Sequence, residues 1–429
     1  MEEKTIIQPI FTENIIVFGI LAVCLALIFY TSSLKSWKKF YSIFPALLLC
    51  YMVPAVLNTT KIISSETEEY EQLYHVASRY FLPASLLLLC LGIDLKGLFN
   101  LGWKPIVMFL SGTLGVVIGG PIALLLFSQI SPETVAGEGS QSIWRGLSTL
   151  AGSWIGGGAN QTAMLEIYGY DKTLYGGMIL VDIVVANIWM AILLFLIGKN
   201  EKINKWLKAD NSAIADLVSR VENYSLSVQK QPTLKDYMVM MGITFGGLAL
   251  SYFLATWVSE ALSSHPTFSD PKSFFNSFTS SFLWLILFST IIGVLLSLTK
   301  LRKLEGSGAS KIGSLFIYIL VAVIGLRMDI MQIFDNPLLI VLGMVWMLVH
   351  VIILFATAKI IKAPFFFIAV GSKANIGGAA SAPVVAGAFN PSLAPVGALL
   401  AILGYVVGTF AALVSAMMME WVTINFILN

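Results

Sequence analysis

Apolar runs of membrane length alternate with short polar connections along almost the whole chain. Spanning a bilayer takes about 20 mostly apolar residues. The pattern predicts such segments near Ile15 to Tyr30, Phe40 to Leu57, Ala77 to Ile93, Pro105 to Phe127, Tyr175 to Ile197, Tyr237 to Leu262, Phe274 to Leu298, Ile312 to Leu326, Leu338 to Ile361 and Val396 to Trp421. Two further stretches, Gly146 to Ile167 and Pro364 to Phe389, are apolar but interrupted by glycine-rich polar sequence. The expectation is an all-α polytopic membrane protein with about twelve transmembrane segments.

The interruptions read Ile155-Gly-Gly-Gly-Ala-Asn-Gln-Thr162 and Ile376-Gly-Gly-Ala-Ala-Ser-Ala-Pro383. Hydrocarbon supplies no hydrogen-bond partner, so a helix breaks at that depth only where protein or a water-filled cavity receives the freed groups. The surroundings repeat as well. Leu91-Gly-Ile-Asp-Leu-Lys-Gly-Leu-Phe99 aligns with Leu326-Arg-Met-Asp-Ile-Met-Gln-Ile-Phe334, placing Asp94 opposite Asp329. Tyr175-Gly-Gly-Met-Ile-Leu aligns with Val396-Gly-Ala-Leu-Leu-Ala, and one indel at the polar loop Ser131 to Trp144 reconciles all the blocks. The expected organisation is a first transmembrane repeat over 1–198, a polar cytoplasmic linker over 199–236 and a second repeat over 237–429. Within the linker, Ala213 to Val221 has the apolar spacing of a surface helix.

Composition agrees with this setting. The chain is 57% hydrophobic and only 12% charged, whereas a soluble domain carries about a quarter charged residues. A net charge of +2 gives no reason to expect nucleic acid. The start Met1-Glu-Glu-Lys lacks the basic region of a signal peptide, so the first apolar run reads as a retained anchor. Cys24, Cys50 and Cys90 lie in apolar segments without ligand spacing and read as small hydrophobes. The basic connections Lys35 to Lys39, Lys199 to Lys208 and Lys300 to Lys311 belong in the cytoplasm, and Glu66 to Glu71 belongs outside. Full crossings throughout cannot satisfy all of these. If each interrupted segment enters and leaves on one side, all three basic loops fall inside and the halves become inverted; the other reading is a miscounted span.

The segments Gly152-Ser-Trp-Ile-Gly-Gly-Gly-Ala-Asn-Gln-Thr and Gly371-Ser-Lys-Ala-Asn-Ile-Gly-Gly-Ala-Ala-Ser-Ala-Pro resemble the signatures of domain-of-unknown-function family 819 of bacterial membrane proteins. That family is grouped with the cation:proton antiporters and bile-acid:sodium symporters. The resemblance implies two crossed discontinuous helices in a mobile core domain beside a panel domain, with elevator-type alternating access in the bacterial cytoplasmic membrane. It implies no particular substrate.

A break leaves carbonyls of one half-helix and amides of the next unpartnered. About half an elementary charge of each sign gathers there, suited to a cation at carbonyls and an anionic group at amides. Gly156, Gly157, Gly158, Asn160, Gln161 and Thr162 in the first half, with Asn375, Gly377, Gly378 and Ser381 in the second, are the candidate solute site. Asp182 lies within a span, where a carboxylate is costly and usually functional. With Asn160, Thr162 and Asn375 it forms the candidate sodium or proton site; the competing reading is a hydrogen-bonded structural aspartate. Lys373 either pairs with a carboxylate, receives solute, or snorkels to the cytoplasmic interface. Glu166 reads as water-facing, and His350 as a satisfied packing residue rather than a ligand.

No P-loop, HExxH or Ser-His-Asp constellation is present, so neither an enzyme nor ATP-driven transport is expected. The leading expectation is a sodium- or proton-coupled transporter of a small polar or anionic solute, with no other cofactor. The alternative is a sodium/proton antiporter without organic substrate; a channel, receptor or membrane enzyme fits less well. The partners expected are the solute and the lipid bilayer, and a homodimer stays open.

Overall fold

A computed structural model describes residues 9–44, 46–63, 68–92, 102–210, 231–269, 276–328, 336–390 and 393–427. The aligned Asp94 and Asp329, and the linker segment Ala213 to Val221, lie outside the described residues. The described chain is almost entirely helical and holds no strand, only an isolated bridge between Phe11 and Ile63. The principal helices are α1 (Asn14–Ser33), α2 (Ala46–Thr59), α3 (Glu68–Val76), α4 (Leu82–Leu91), α5 (Trp103–Ile130), α6 (Ile143–Tyr168), α7 (Tyr175–Ile197), α8 (Asn200–Leu207), α9 (Leu234–Ser263), α10 (Ser281–Ser297), α11 (Ala309–Gly325), α12 (Leu338–Ile361), α13 (Phe365–Asn375), α14 (Gly378–Phe389) and α15 (Ala394–Phe426). A π-helical turn, Ala77–Phe81, joins α3 to α4.

Seven of the described helices are long and apolar enough to cross a membrane, or up to nine if each bent pair counts as one span. The expected twelve segments therefore do not all appear as full-length apolar helices. α11 is shorter, and the two interrupted segments take another form.

Both segments are broken where the glycines predicted, but neither continues across. In α6 the break is Gly157, at φ 74° and ψ −170°. Its two limbs then fold back on each other. Arg145 Nη1 donates to the Tyr168 carbonyl, Trp144 meets Tyr168 edge-on at 5.2 Å, and a Cβ on Gly152 would lie 2.6 Å from the Asn160 carbonyl oxygen. A straight helix would hold Arg145 and Tyr168 about 34 Å apart at 1.5 Å per residue. α13 and α14 form the second hairpin around Ile376 and Gly377, the latter at φ 106°. Its ends meet where Phe389 packs against Phe365 and Phe366 at 5.9 and 5.2 Å. The resemblance implied crossed discontinuous helices. Reversal at glycines in the left-handed region, where L-residues are disfavoured, turns each segment into a hairpin instead.

The hairpins are rooted at opposite ends of α15. Glu420, near its C-terminus, interacts electrostatically with Arg145 at the root of the first hairpin, while its N-terminus follows closely on α14. The Asn204 side chain accepts from the Phe365 N–H at 2.8 Å, tying α8 to the root of the second. Helices α1, α2, α3, α4, α9, α10 and α11 pack mainly among themselves, and α5, α6, α7, α12, α13, α14 and α15 form a second set. Within the second set α5 approaches α12 along small residues: a Cβ on Gly115 would lie 2.8 Å from His350 Cα, and Trp346 Nε1 donates to the Val116 carbonyl at 2.8 Å.

Candidate functional site

The two hairpin tips meet at Gly404 of α15. A Cβ built there would stand 2.5 Å from the Ile155 carbonyl oxygen at the first tip and 3.6 Å from the Ala374 carbonyl oxygen at the second. The first approach admits only glycine, and the second is ordinary packing contact. Gly408, one turn on, packs against Gly156 and Asn160 in the same way, with 2.7 Å between its Cβ position and Gly156 Cα. The pair Gly404-Tyr-Val-Val-Gly408 is a G-x-x-x-G pattern, the sequence signal for close helix approach in membranes. Sequence reasoning did not single it out.

Around this junction several candidate residues prove to be engaged within the protein. Asn160 is fully buried; its Nδ2 donates to the Gly156 carbonyl at 2.9 Å, answering a group that the break sets free, and its Oδ1 accepts from Thr409. Thr162 donates to the Gly158 carbonyl at 2.8 Å. Asn375 plays the same part as Asn160. Its Nδ2 donates to the Gly371 and Phe109 carbonyls, both at 2.9 Å, and its Oδ1 accepts from Thr113 at 2.8 Å. Thus Asn160 stitches the first tip to α15 and Asn375 the second to α5, while Thr162 bonds within its own limb. A carbonyl keeps a second lone pair, so each Oδ1 can still take one further partner.

Other members of the candidate set are less engaged. Gly157 and Gly158 are partly exposed, Gly377 is exposed and Gly378 is buried. The Ser381 hydroxyl is a buried atom without a partner among the described residues, and it faces the Gly377 backbone. Lys373 Nζ reaches the same tip, 3.2 Å from the Gly377 Cβ position. Lys373 is only 2% exposed and its ammonium donates weakly, at 3.4 Å, to the Ala186 carbonyl. Snorkelling, one of its expected fates, does not occur, because the second hairpin turns its base inward.

Asp182 sits one turn before Ala186 on α7. Its Oδ1 accepts from Trp154 Nε1 at 2.7 Å, and its Oδ2 from Ser153 at 2.6 Å and Gln161 at 3.2 Å. Ser153 and Trp154 precede the break and Gln161 follows it, so one carboxylate clamps both limbs of the first hairpin. All three partners are neutral donors. Asp182 and Lys373 interact electrostatically, yet they form no ion pair. The buried tyrosines Tyr51 and Tyr175 lie in the same neighbourhood, where they interact with each other and with Asp182.

His350 is a satisfied residue, as expected. Its Nδ1 faces the Gly112 carbonyl at 2.9 Å and must donate there. Nε2 then accepts from Ser372 at 2.8 Å, and Ser372 accepts from Trp189 at 2.7 Å. Glu166 departs from expectation: its side chain is 5% exposed and takes a hydrogen bond from Tyr74. Asn187 is exposed and bonds the Ile183 carbonyl. No cluster of three or more His, Cys, Asp or Glu with metal-holding geometry occurs among the described residues.

The profile of a family described as "Protein of unknown function (DUF819)" matches residues 19–422. The chain is also 23% identical over 367 residues to a Bacillus subtilis (strain 168) protein described as "Uncharacterized membrane protein YjcL", covering 83% of this chain and 85% of that protein.

Proposed function

The chain belongs to the DUF819 family, and from that footing we propose that it is an ion-coupled secondary transporter of a small polar or anionic solute, working by elevator-type alternating access. One observation carries the reading: two broken-helix tips rooted at opposite ends of the bundle meet at Gly404, beside a buried lysine and a carboxylate that form no ion pair. Each tip brings together the carbonyl end of one limb and the amide end of the next, which provides partial charges of both signs at one place.

In this reading the solute's anionic group is received by Lys373, the Ser381 hydroxyl and the amides near Gly377. The coupling ion, sodium or a proton, is held near Asp182, whose lone pairs are not exhausted by three donors. The chain is then a pair of inverted repeats. With each hairpin entering and leaving by one face, α1, α2, α3 with α4, α5 and α7 make an odd number of crossings, and α9, α10, α11, α12 and α15 repeat them from the other side. This places the three lysine-rich connections together in the cytoplasm, in keeping with the charge bias of bacterial membrane proteins. The second helix set, which holds both hairpins, is the moving core, and the first is the panel.

Flux into proteoliposomes tests the proposal. A sodium or proton gradient should drive accumulation of a small carboxylate from a metabolite panel. Solute-independent proton movement on adding sodium would instead establish antiport without organic substrate. Absence of any gradient-dependent flux would remove the transport reading.

A further inference from the structure

At the end of the bundle where the first hairpin is rooted, a cavity of about 700 Å³ opens between the two helix sets. Lys61 and Arg327 line it from one set, and Glu166, Asp171 and Lys172 from the other. The acids are already engaged. Asp171 accepts from the Thr173 N–H and hydroxyl at 2.9 and 2.7 Å and from Gln141 at 3.3 Å. Glu166 is shared between the Tyr74 hydroxyl and Lys172, whose ammonium stands 3.8 Å away. Glu71, beyond the lining, takes Arg327.

The cations are less completely matched. Lys172 lies 3.5 Å above the Tyr74 ring, and its side chain is only 19% exposed. Arg79, in the π-helical turn, is close enough to repel it. The Arg79 guanidinium rests 4.0 Å from the Phe282 ring centroid, and its Nη1 is buried without a hydrogen-bond partner among the described residues. Dehydration and this neighbouring charge act together to hold the Lys172 ammonium below its ordinary pKa, against the pull of Glu166. Lys61 adds another charge at the rim, on backbone in the left-handed region at φ 58°. A dehydrated ammonium facing a cavity whose acids are spoken for, with Lys61 and Arg327 beside it, attracts an anion, and guanidinium and ammonium groups suit a carboxylate.

We propose that this vestibule is a recruitment site for a small organic carboxylate, received by Lys172 with Lys61 and Arg327 at the rim, and separate from the hairpin tips. It deepens the transport reading by giving the solute a first stop, and it rests on that reading only for the name of the face on which it opens. Affinity for the anion is a property of the cavity and does not require transport.

Ser140 lines the cavity and is exposed. In purified full-length protein in nanodiscs, both faces are open to reagent. Ser140→Cys would be introduced into a Cys24→Ser, Cys50→Ser, Cys90→Ser background; if that background loses its fold, Cys24→Ser alone serves, because Cys50 and Cys90 are fully buried. The thiol should react with a negatively charged methanethiosulfonate about 5–10-fold faster than with a positively charged one, as for a local potential on the order of one kT. Lys172→Gln should cut that ratio severalfold, and succinate should slow the reaction more than sodium chloride of equal ionic strength. Equal or inverted rates, a ratio indifferent to Lys172→Gln, or equal slowing by both salts would each overturn the site. Protection by succinate in a protein without gradient-driven flux would keep the vestibule and remove the transporter.

Discussion

Lys373 is buried and Asp182 half-buried, each in different company, and this makes their substitutions informative. The aspartate has three donors, from Ser153, Trp154 and Gln161. Asparagine in its place keeps an acceptor for Trp154 but turns an NH2 group toward another donor, at a cost of about 1–3 kcal/mol for the group left unpaired. Asp182→Asn should therefore fold and insert with a modestly lowered melting temperature, while gradient-driven accumulation disappears. Wild-type gradient dependence in that variant would end the ion-site assignment. Lys373 has one long hydrogen bond and no ion pair. A methionine there removes a poorly compensated charge, and such replacements are often neutral or stabilising, by roughly 1–4 kcal/mol. Lys373→Met is expected to melt at or above the wild-type temperature and to lose stabilisation by the transported carboxylate. A lysine kept for structure would give the opposite melting shift.

The hairpins rest on a few backbone positions. Gly157 and Gly377 adopt positive φ, where an L-residue costs roughly 1–2 kcal/mol. Gly404 is constrained from outside, by the Ile155 carbonyl of the first tip. Gly158 is neither; no atom lies within 4 Å of its Cβ position and its φ is not positive. A methyl forced into the tip junction should cost about 1–3 kcal/mol as overpacking. Gly404→Ala should lower thermal stability and flux together, whereas Gly158→Ala should leave the melting temperature within about 1 °C of wild type, the scale of a surface substitution. Equal tolerance of both would mean that the tips do not meet at Gly404.

At the scale of the molecule, the proposed topology makes a prediction that involves no ligand. Thr173 lines the vestibule beside the first hairpin. Lys303 lies in the short 3₁₀ stretch Lys300–Ser307 after α10. Its neighbour Glu305 touches the Gly92 position at the far end of α4. A cysteine at Thr173 should react with an impermeant thiol reagent applied to intact cells, and a cysteine at Lys303 only after the membrane is opened. Labelling of both from one side would contradict the inverted arrangement.

The hydrophobic pattern and the glycine runs by themselves determined the setting and the breaks. Tyr175 to Ile197 and Leu338 to Ile361 were legible to the residue, because in hydrocarbon only intrahelical hydrogen bonds satisfy the backbone and span length follows from apolar length. The interruption at Ile155–Thr162 was legible too, because three adjacent glycines followed by Ala-Asn-Gln-Thr go beyond the isolated small residues that helix packing uses. The direction of the chain beyond a break was not legible. A glycine at φ 74° can lead a chain onward or back, and only the contacts of Arg145 with Tyr168 and of Phe365 with Phe389 settle that both segments return. Nor does sequence tell a polar side chain that binds from one that stitches. Asn160 and Asn375 were candidates for their oxygens, but partners far along the chain, Thr409 and Thr113, occupy them. Local pattern encodes periodicity and propensity; the use of a hydrogen bond depends on which distant groups packing brings within about 3 Å.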